Sequence, residues 1–131
     1  MLRYGYLECS LEPWVLLWGD QNDMRILADL LRRMPSAGTN GSLAGLGCYA
    51  QTGETVFVNF CKTGARGMKR VEEKEGTFFW ELDWDHAILF ADMVEALASS
   101  DHCYQYLECG TSDEIAVIAS CCEYPDDFLI E

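Results

Sequence analysis

The feature that most constrains the fold is one long helical repeat set among shorter stretches with a strand-like pattern. Residues 82–100 read LDWDHAILFADMVEALASS. When each residue is stepped by about 100°, the apolar residues of this stretch fall on one broad face. The predicted buried face consists of Trp84, Ala87, Phe90, Ala91, Val94, Leu97 and Ala98. We therefore predict an amphipathic helix here, with Asp83 as its N-cap because a carboxylate can accept the first free backbone N–H groups.

A second helix is predicted between residue 20 and Met34. Asp20 is a good N-cap, and Asp23 stands three residues later, as in a capping box. An apolar stripe at helical spacing follows. It consists of Met24, Leu27, Leu30, Leu31 and Met34. Pro35 is predicted to end this helix because proline disrupts the hydrogen bonding of a helix interior.

The other patterned segments alternate with a period of two, which is typical of β-strands. They form four successive pairs, each joined by a short turn: 4–10 with 14–19, 43–50 with 55–62, 68–73 with 77–82, and 102–108 with 113–120. We predict a single α+β domain over residues 1–131, with one largely antiparallel sheet of about six to eight strands and two packed helices. The predicted order is β-β-α-β-β-β-β-α-β-β.

Charge is divided unevenly along the chain. Residues 1–74 carry all 9 basic residues and 8 acidic ones, whereas residues 75–131 carry 14 acidic residues and no Lys or Arg. The net charge of −13 disfavours nucleic acid and anionic membranes as partners, because both would be repelled. The charge instead favours a basic protein partner, or serves solubility alone. The longest apolar run, Trp14 to Trp18, is too short to span a bilayer, and residues 1–13 lack the apolar core of a signal peptide. We expect a cytoplasmic protein.

The cysteines indicate reduced thiols rather than a metal or redox site. There are seven, and none forms a C-x-x-C pair. They are Cys9, Cys48, Cys61, Cys103, Cys109, Cys121 and Cys122. Neighbouring residues of a strand point to opposite faces, so Cys121 and Cys122 are not expected to share a metal ion. No metal and no cofactor is predicted.

Catalytic signatures are missing from the sequence. It has no HExxH, GxSxG or phosphate-loop motif, and the glycine-containing loop at residues 36–42 lacks the lysine that a phosphate loop requires. A Cys103–His86 nucleophile pair is conceivable, but buried structural cysteine is the preferred interpretation. Acidic residues at strand and helix ends, such as Asp83, are common as caps. We do not expect an enzyme.

Recognition of another protein is the remaining function class. Tyr104 and Tyr106 alternate with Gln105 and share a strand face with Glu108, a pattern in which aromatic rings anchor a partner and charges steer its approach. The candidate partner-binding residues all come from the acidic half. They are Asp85, Leu89, Asp92, Met93, Glu95, Tyr104, Tyr106, Glu108, Asp113 and Glu114.

Two alternatives stay open. The chain could instead be a homo-oligomeric structural or adaptor domain that self-associates through Leu89, Met93 and the tyrosines. It could also be a small-molecule-binding domain or an enzyme with a pocket between helix and sheet.

The C-terminal segment HCYQYLECGTSDEIAVIASCCEYP resembles the closing hairpin of small bacterial immunity proteins, the antidotes of polymorphic or contact-dependent toxins. Together with the preceding helix, the resemblance covers about a third of the chain. It implies a small acidic α+β protein that neutralises a cognate toxin by binding its basic surface or active-site cleft. It assigns no binding residues to individual positions.

Overall fold

The structure, a computed structural model, describes residues 1–8, 12–37, 41–62 and 64–129. These residues form nine strands and two helices. In chain order the elements are β1 (Arg3–Glu8), β2 (Pro13–Gly19), α1 (Gln21–Ala37), β3 (Gly41–Ser42), β4 (Tyr49–Ala50), β5 (Thr55–Cys61), β6 (Gly67–Arg70), β7 (Thr77–Asp83), α2 (Trp84–Leu97), β8 (Cys103–Tyr106) and β9 (Ala116–Cys121). The predicted α+β class is confirmed. The end of the first predicted strand, at Cys9 and Ser10, lies outside the described residues.

Helix α1 begins with the predicted reciprocal cap. The Asp23 N–H donates to Asp20 Oδ1 (2.9 Å), and the Asp20 N–H donates back to Asp23 Oδ2 (3.0 Å). The predicted end at Pro35 is wrong, because the helix continues to Ala37 with the proline inside it. The ring fixes φ near a helical value, and the helix ends two residues after the proline.

Helix α2 is capped by Asp83, as predicted: Asp83 Oδ1 accepts the His86 N–H at 2.8 Å. Its buried residues are Ala87, Phe90, Ala91, Val94 and Leu97. The predicted burial of Trp84 is wrong, since 52% of this residue is exposed. Trp84 is the first helical residue, and the core-facing stripe begins only at Ala87, one turn later. Neither described helix combines the length and apolarity needed to cross a bilayer.

The strands form two sheets, so the predicted single sheet is wrong. One sheet has five strands in the order β4-β1-β2-β9-β8, and the other has four in the order β3-β5-β7-β6. The pairs β1–β4, β2–β9 and β5–β7 are parallel, which makes both sheets mixed rather than largely antiparallel. An isolated antiparallel bridge between Met68 and Ile115 links β6 to the residue just before β9.

Three of the four predicted hairpins are confirmed. The pairs β1–β2, β6–β7 and β8–β9 are antiparallel neighbours. The fourth, between 43–50 and 55–62, is wrong. Residues 43–47 form turns, β4 pairs in parallel with β1, and it is β3 that pairs with β5. The interval between the helices therefore holds five strands rather than four.

One core joins both helices to the inner faces of both sheets. Its side chains include Val117 of β9, Trp80 of β7, Leu31 of α1 and Phe90 of α2. The helices run antiparallel: Gln21, at the start of α1, donates its side-chain N–H to Asp101 beyond the end of α2 (2.8 Å). Burial of this shared apolar surface is the main source of stability.

A second, smaller apolar cluster lies on the outer face of the five-stranded sheet. It is formed by Leu16 and Trp18 of β2 and by Ile118 of β9. The segment after β9 covers it, with Tyr124 and Phe128 packed against it. Trp18 Nε1 donates to the Pro125 carbonyl (3.1 Å), which fixes this segment over the sheet.

Candidate partner-binding surface

The edge strand β8 is the most exposed strand of the structure's described part. All four of its residues are solvent-exposed, whereas five of the six residues of its neighbour β9 are buried. Only one edge of β8 is paired, because the strand is the last in its sheet. An edge strand that buries neither face contributes little to the core, so its sequence is free to serve binding.

Two tyrosines of β8 form an exposed aromatic pair. The rings of Tyr104 and Tyr106 meet edge to face with centroids 5.9 Å apart. They are 52% and 48% exposed. In the β8–β9 register they lie opposite Ser120 and Ile118. Since cross-strand partners share a face, both rings lie on the outer face of the sheet.

The aromatic surface continues into the C-terminal segment. Tyr124 stacks on Phe128 with centroids 4.4 Å apart. Burial raises the pKa of the Tyr124 hydroxyl, and the neighbouring Glu123, Tyr104 and Tyr106 raise it further. Tyr124 therefore lies next to the tyrosine pair as a neutral, partly buried ring.

Carboxylates lie at both ends of the tyrosine pair. Glu123 accepts a hydrogen bond from the Ser120 hydroxyl (2.6 Å), directly across from Tyr104. Glu108 is exposed two residues beyond Tyr106. We call the surface formed by Tyr104, Tyr106, Tyr124, Glu108 and Glu123 the tyrosine edge.

The predicted acids of α2 are exposed but are not all free to meet a partner. Arg32 of α1 donates to Asp92 Oδ1 and to Glu95 Oε2, both at 2.8 Å. These hydrogen bonds, first the one that Arg32 donates to Glu95, raise the pKa of Arg32 and keep it charged. Two of the predicted binding acids thus hold α2 against α1 instead.

The other predicted residues of α2 divide between surface and core. Asp85 is exposed, and Leu89 is 51% exposed. Met93 is half-buried and packs against the core. These residues do not meet the tyrosines, because α2 packs on the inner face of the five-stranded sheet while Tyr104 and Tyr106 lie on its outer face.

The acids of the β8–β9 loop also have different positions. Glu114 closes the loop by accepting the N–H groups of Cys109 (2.8 Å) and Gly110 (3.0 Å). It passes so close to Gly67 that any side chain there would collide with it. Asp113 is exposed, with a left-handed φ of 63°. Glu114 is therefore structural, whereas Asp113 is accessible.

An acidic groove that was not predicted from the sequence lies between β1 and the β6–β7 turn. Its volume is about 610 Å³, and Glu8, Glu54, Glu72 and Glu75 line it. Arg70 projects into it and donates to the Tyr6 hydroxyl. The groove is formed by strands and turns, not by a helix and a sheet. The groove could not be predicted because its glutamates are far apart in the sequence and only the pairing of distant strands brings them together.

Asp83, at the start of α2, lies close to two other titratable side chains, His86 and Cys109. His86 Nδ1 contacts Asp83 Oδ1 at 2.7 Å. Burial, together with Glu114 and Asp83, raises the pKa of the nearby Cys109 thiol to about 12, so it stays protonated at neutral pH. The described residues include no group of three or more His, Cys, Asp or Glu arranged to hold a metal ion.

The predicted separation of Cys121 and Cys122 is wrong. Their Sγ atoms lie 3.6 Å apart. Cys122 follows the end of β9 and has a left-handed φ of 62°, so strand alternation no longer applies to it. All six described cysteines are free thiols, and Cys9 lies outside the described residues.

Comparison of the chain with protein-family models gives no match, and comparison with curated proteins and with solved structures gives none either.

Proposed function

We propose that this chain is an acidic cytoplasmic protein that neutralises a basic partner protein, as the immunity protein of a bacterial toxin does. The observation that carries the proposal is the tyrosine edge. Two half-exposed tyrosines stand on a strand that the core does not need, in a part of the chain without Lys or Arg. Tyrosine is enriched at binding hot spots, since it supplies contact area and a polar end at little entropic cost.

The charge distribution supports a basic partner. The tyrosine edge is bordered by Glu108 and Glu123, while Asp92 and Glu95 are engaged by Arg32. The local carboxylates attract a cationic surface, and the net charge of −13 speeds its approach at low salt. The binding surface is accordingly narrower than the one predicted from sequence: it keeps the tyrosines and Glu108 and leaves out the α2 acids.

The proposal is tested with the product of the reading frame adjacent to this one. We expect that product alone to arrest the growth of a laboratory bacterium and coproduction of this chain to relieve the arrest. The two proteins should copurify, with an association rate that falls as salt rises. An adjacent product that is harmless and forms no complex with this chain would refute the proposal.

A matched pair of variants locates the contact. Tyr104→Ala should weaken binding by about 2 kcal/mol or more if Tyr104 is a hot spot. Tyr49→Ala is the control, because Tyr49 is 49% exposed on β4, the opposite edge of the same sheet. Its affinity should match that of the unchanged protein.

A further inference from the structure

We infer that β8 binds its partner by strand addition: a lysine- or arginine-bearing strand of the partner pairs with the free edge of β8 and extends the five-stranded sheet. The inference rests on the proposed function and adds the mode of recognition and the partner's local structure. Three features of β8 support it: the direction of its main-chain groups, the lack of edge protection among the described residues, and the charge around the strand.

The register identifies which backbone groups of β8 point outward. The Leu107 N–H donates to the Val117 carbonyl at 2.8 Å, one step beyond the last residue pair of the β8–β9 ladder. In an antiparallel pair, residues that exchange hydrogen bonds alternate with residues that do not. Gln105 and Cys103 therefore bond to β9 as Leu107 does, and the N–H and C=O groups of Tyr104 and Tyr106 point away from it.

No hydrogen bond from another described residue reaches these outward groups. Two donors and two acceptors thus stand in a row, in the arrangement that an incoming strand needs. The side chains of the same two residues lie on the outer face, so a strand bound here would lie beside both rings.

The described residues give this edge none of the protection against pairing that lysine, proline, an inward charge or a covering element provides. Natural edge strands are blocked by lysine, proline, an inward charge or a covering element. The sequence of β8 is CYQY, without charge and without proline, and all four residues are exposed. By contrast, β4 at the opposite edge has only two residues. An unprotected edge on the most exposed strand of the sheet is best explained by a role in binding.

Charge selects a basic strand rather than a second copy of this chain. Glu123 borders Tyr104, and Glu108 follows Tyr106, so alternate side chains of an added strand would meet carboxylates and tyrosine rings. Both environments favour Lys or Arg, the rings through cation–π contact. Two copies paired through β8 would instead bring their carboxylates together, each chain carrying −13.

The probe for this inference is a synthetic capped peptide of alternating lysine and valine, about ten residues long. Hydrogen exchange of the full chain is measured residue by residue. Without peptide, the Tyr104 and Tyr106 amides should exchange fast and those of Gln105 and Leu107 slowly. With saturating peptide, exchange at Tyr104 and Tyr106 should slow by about tenfold or more. A glutamate–valine peptide should change nothing.

Two double variants separate the backbone from the rings. Tyr104→Thr with Tyr106→Thr removes both rings and keeps both outward N–H groups. Tyr104→Thr with Tyr106→Pro also removes the outward N–H of residue 106, which does not bond to β9. The proline variant should bind the peptide about tenfold more weakly than the threonine variant, the effect of losing one hydrogen bond. If the proline variant does not fold, the exchange measurement on the unchanged chain decides.

Three results would overturn the inference: no peptide binding, peptide protection that falls on α2 or the acidic groove instead of β8, or concentration-dependent dimers that protect Tyr104 and Tyr106 without peptide. Growth and binding assays keep the two proposals apart. A proline variant that binds the toxin as tightly as the threonine variant refutes strand addition and leaves neutralisation standing. An unchanged chain that relieves none refutes neutralisation.

Discussion

Two tryptophans that are almost fully buried differ in one hydrogen bond. Trp18 Nε1 donates to the Pro125 carbonyl, whereas Trp80 Nε1 has no partner among the described residues. Each tryptophan is at most 1% exposed, so changing either to phenylalanine removes a similar volume from the interior. We expect Trp18→Phe to lower the free energy of unfolding by about 1 kcal/mol more than Trp80→Phe, because only the first breaks a hydrogen bond. Urea denaturation of both variants checks this, and equal losses would contradict it.

Asp83 links the stability of the fold to acid. Burial alone would raise the pKa of its carboxyl, but hydrogen bonds from the His86 backbone and side chain outweigh it and lower the pKa. The unfolded chain therefore takes up this proton first, and the stabilisation present above about pH 4 is lost as the pH falls through the folded-state value.

Asp83→Asn keeps a good N-cap and removes the charge. As the pH falls below about 5, we expect the free energy of unfolding to decrease less in this variant than in the unchanged chain. Asp83→Ala should lower the free energy of unfolding by about 1 kcal/mol at neutral pH, because it also removes the cap. Unfolding measured by circular dichroism as a function of pH separates the two effects, and parallel acid curves for Asn and Asp would rule out the linkage.

At the scale of elements, the ion pairs between α1 and α2 change how the acids of α2 should be tested. Replacing Asp92 and Glu95 together with lysine would place two cations against Arg32, so a loss of binding could reflect a disturbed helix pair. Arg32 is one-third exposed and its partners more so, hence the pairs should contribute about 1 kcal/mol or less.

We expect the double lysine variant to lose about 1 kcal/mol of folding free energy and Arg32→Glu to restore most of it when combined with the reversal. Thermal unfolding at low and high salt measures the loss in the double variant and the recovery in the combined variant. The reversal at Glu8 and Glu12 gives the same change in net charge without touching the helix pair. No recovery in the combined variant would show that the ion pairs do not couple the helices.

Elements whose cause is local were predictable, and pairings between distant segments were not. The caps at Asp20 and Asp83 and three hairpins follow from neighbouring residues. The parallel pairs β2–β9 and β5–β7 do not, because each strand is apolar on both faces and such a pattern fits several partners. The second sheet was missed for this reason. The sequence also did not show that the tyrosines of β8 and the predicted binding residues of α2 lie on opposite faces of the sheet, since the faces of β8 are defined only by its pairing with β9.

At the scale of the molecule, the segment after β9 acts as the cover of an otherwise bare sheet face. Phe128 stacks on Tyr124 and meets Trp18 edge to face at 6.0 Å. We expect Phe128→Ala to lower the free energy of unfolding by about 2 kcal/mol and to increase binding of a hydrophobic dye. Asp127→Ala, at the exposed neighbouring position, should change neither quantity. Unchanged dye binding in the phenylalanine variant would mean that the segment does not shield the sheet.

The parallel pairing of β2 with β9 also determines when β2 can fold in the nascent chain. Trp14 pairs with Ala116 and Gly19 with Cys121. The central strand β2 therefore cannot pair with β9 until about a hundred further residues have left the ribosome. During that interval β2 presents the apolar run WVLLW with one side unpaired. Closing so long a loop is slow. We therefore expect the chain to refold from urea in milliseconds to seconds rather than microseconds, and tryptophan fluorescence measures this rate. Until β9 pairs with it, β2 leaves this apolar run exposed, although four of its seven residues are buried in the folded protein, so we expect the chain to need a chaperone during synthesis.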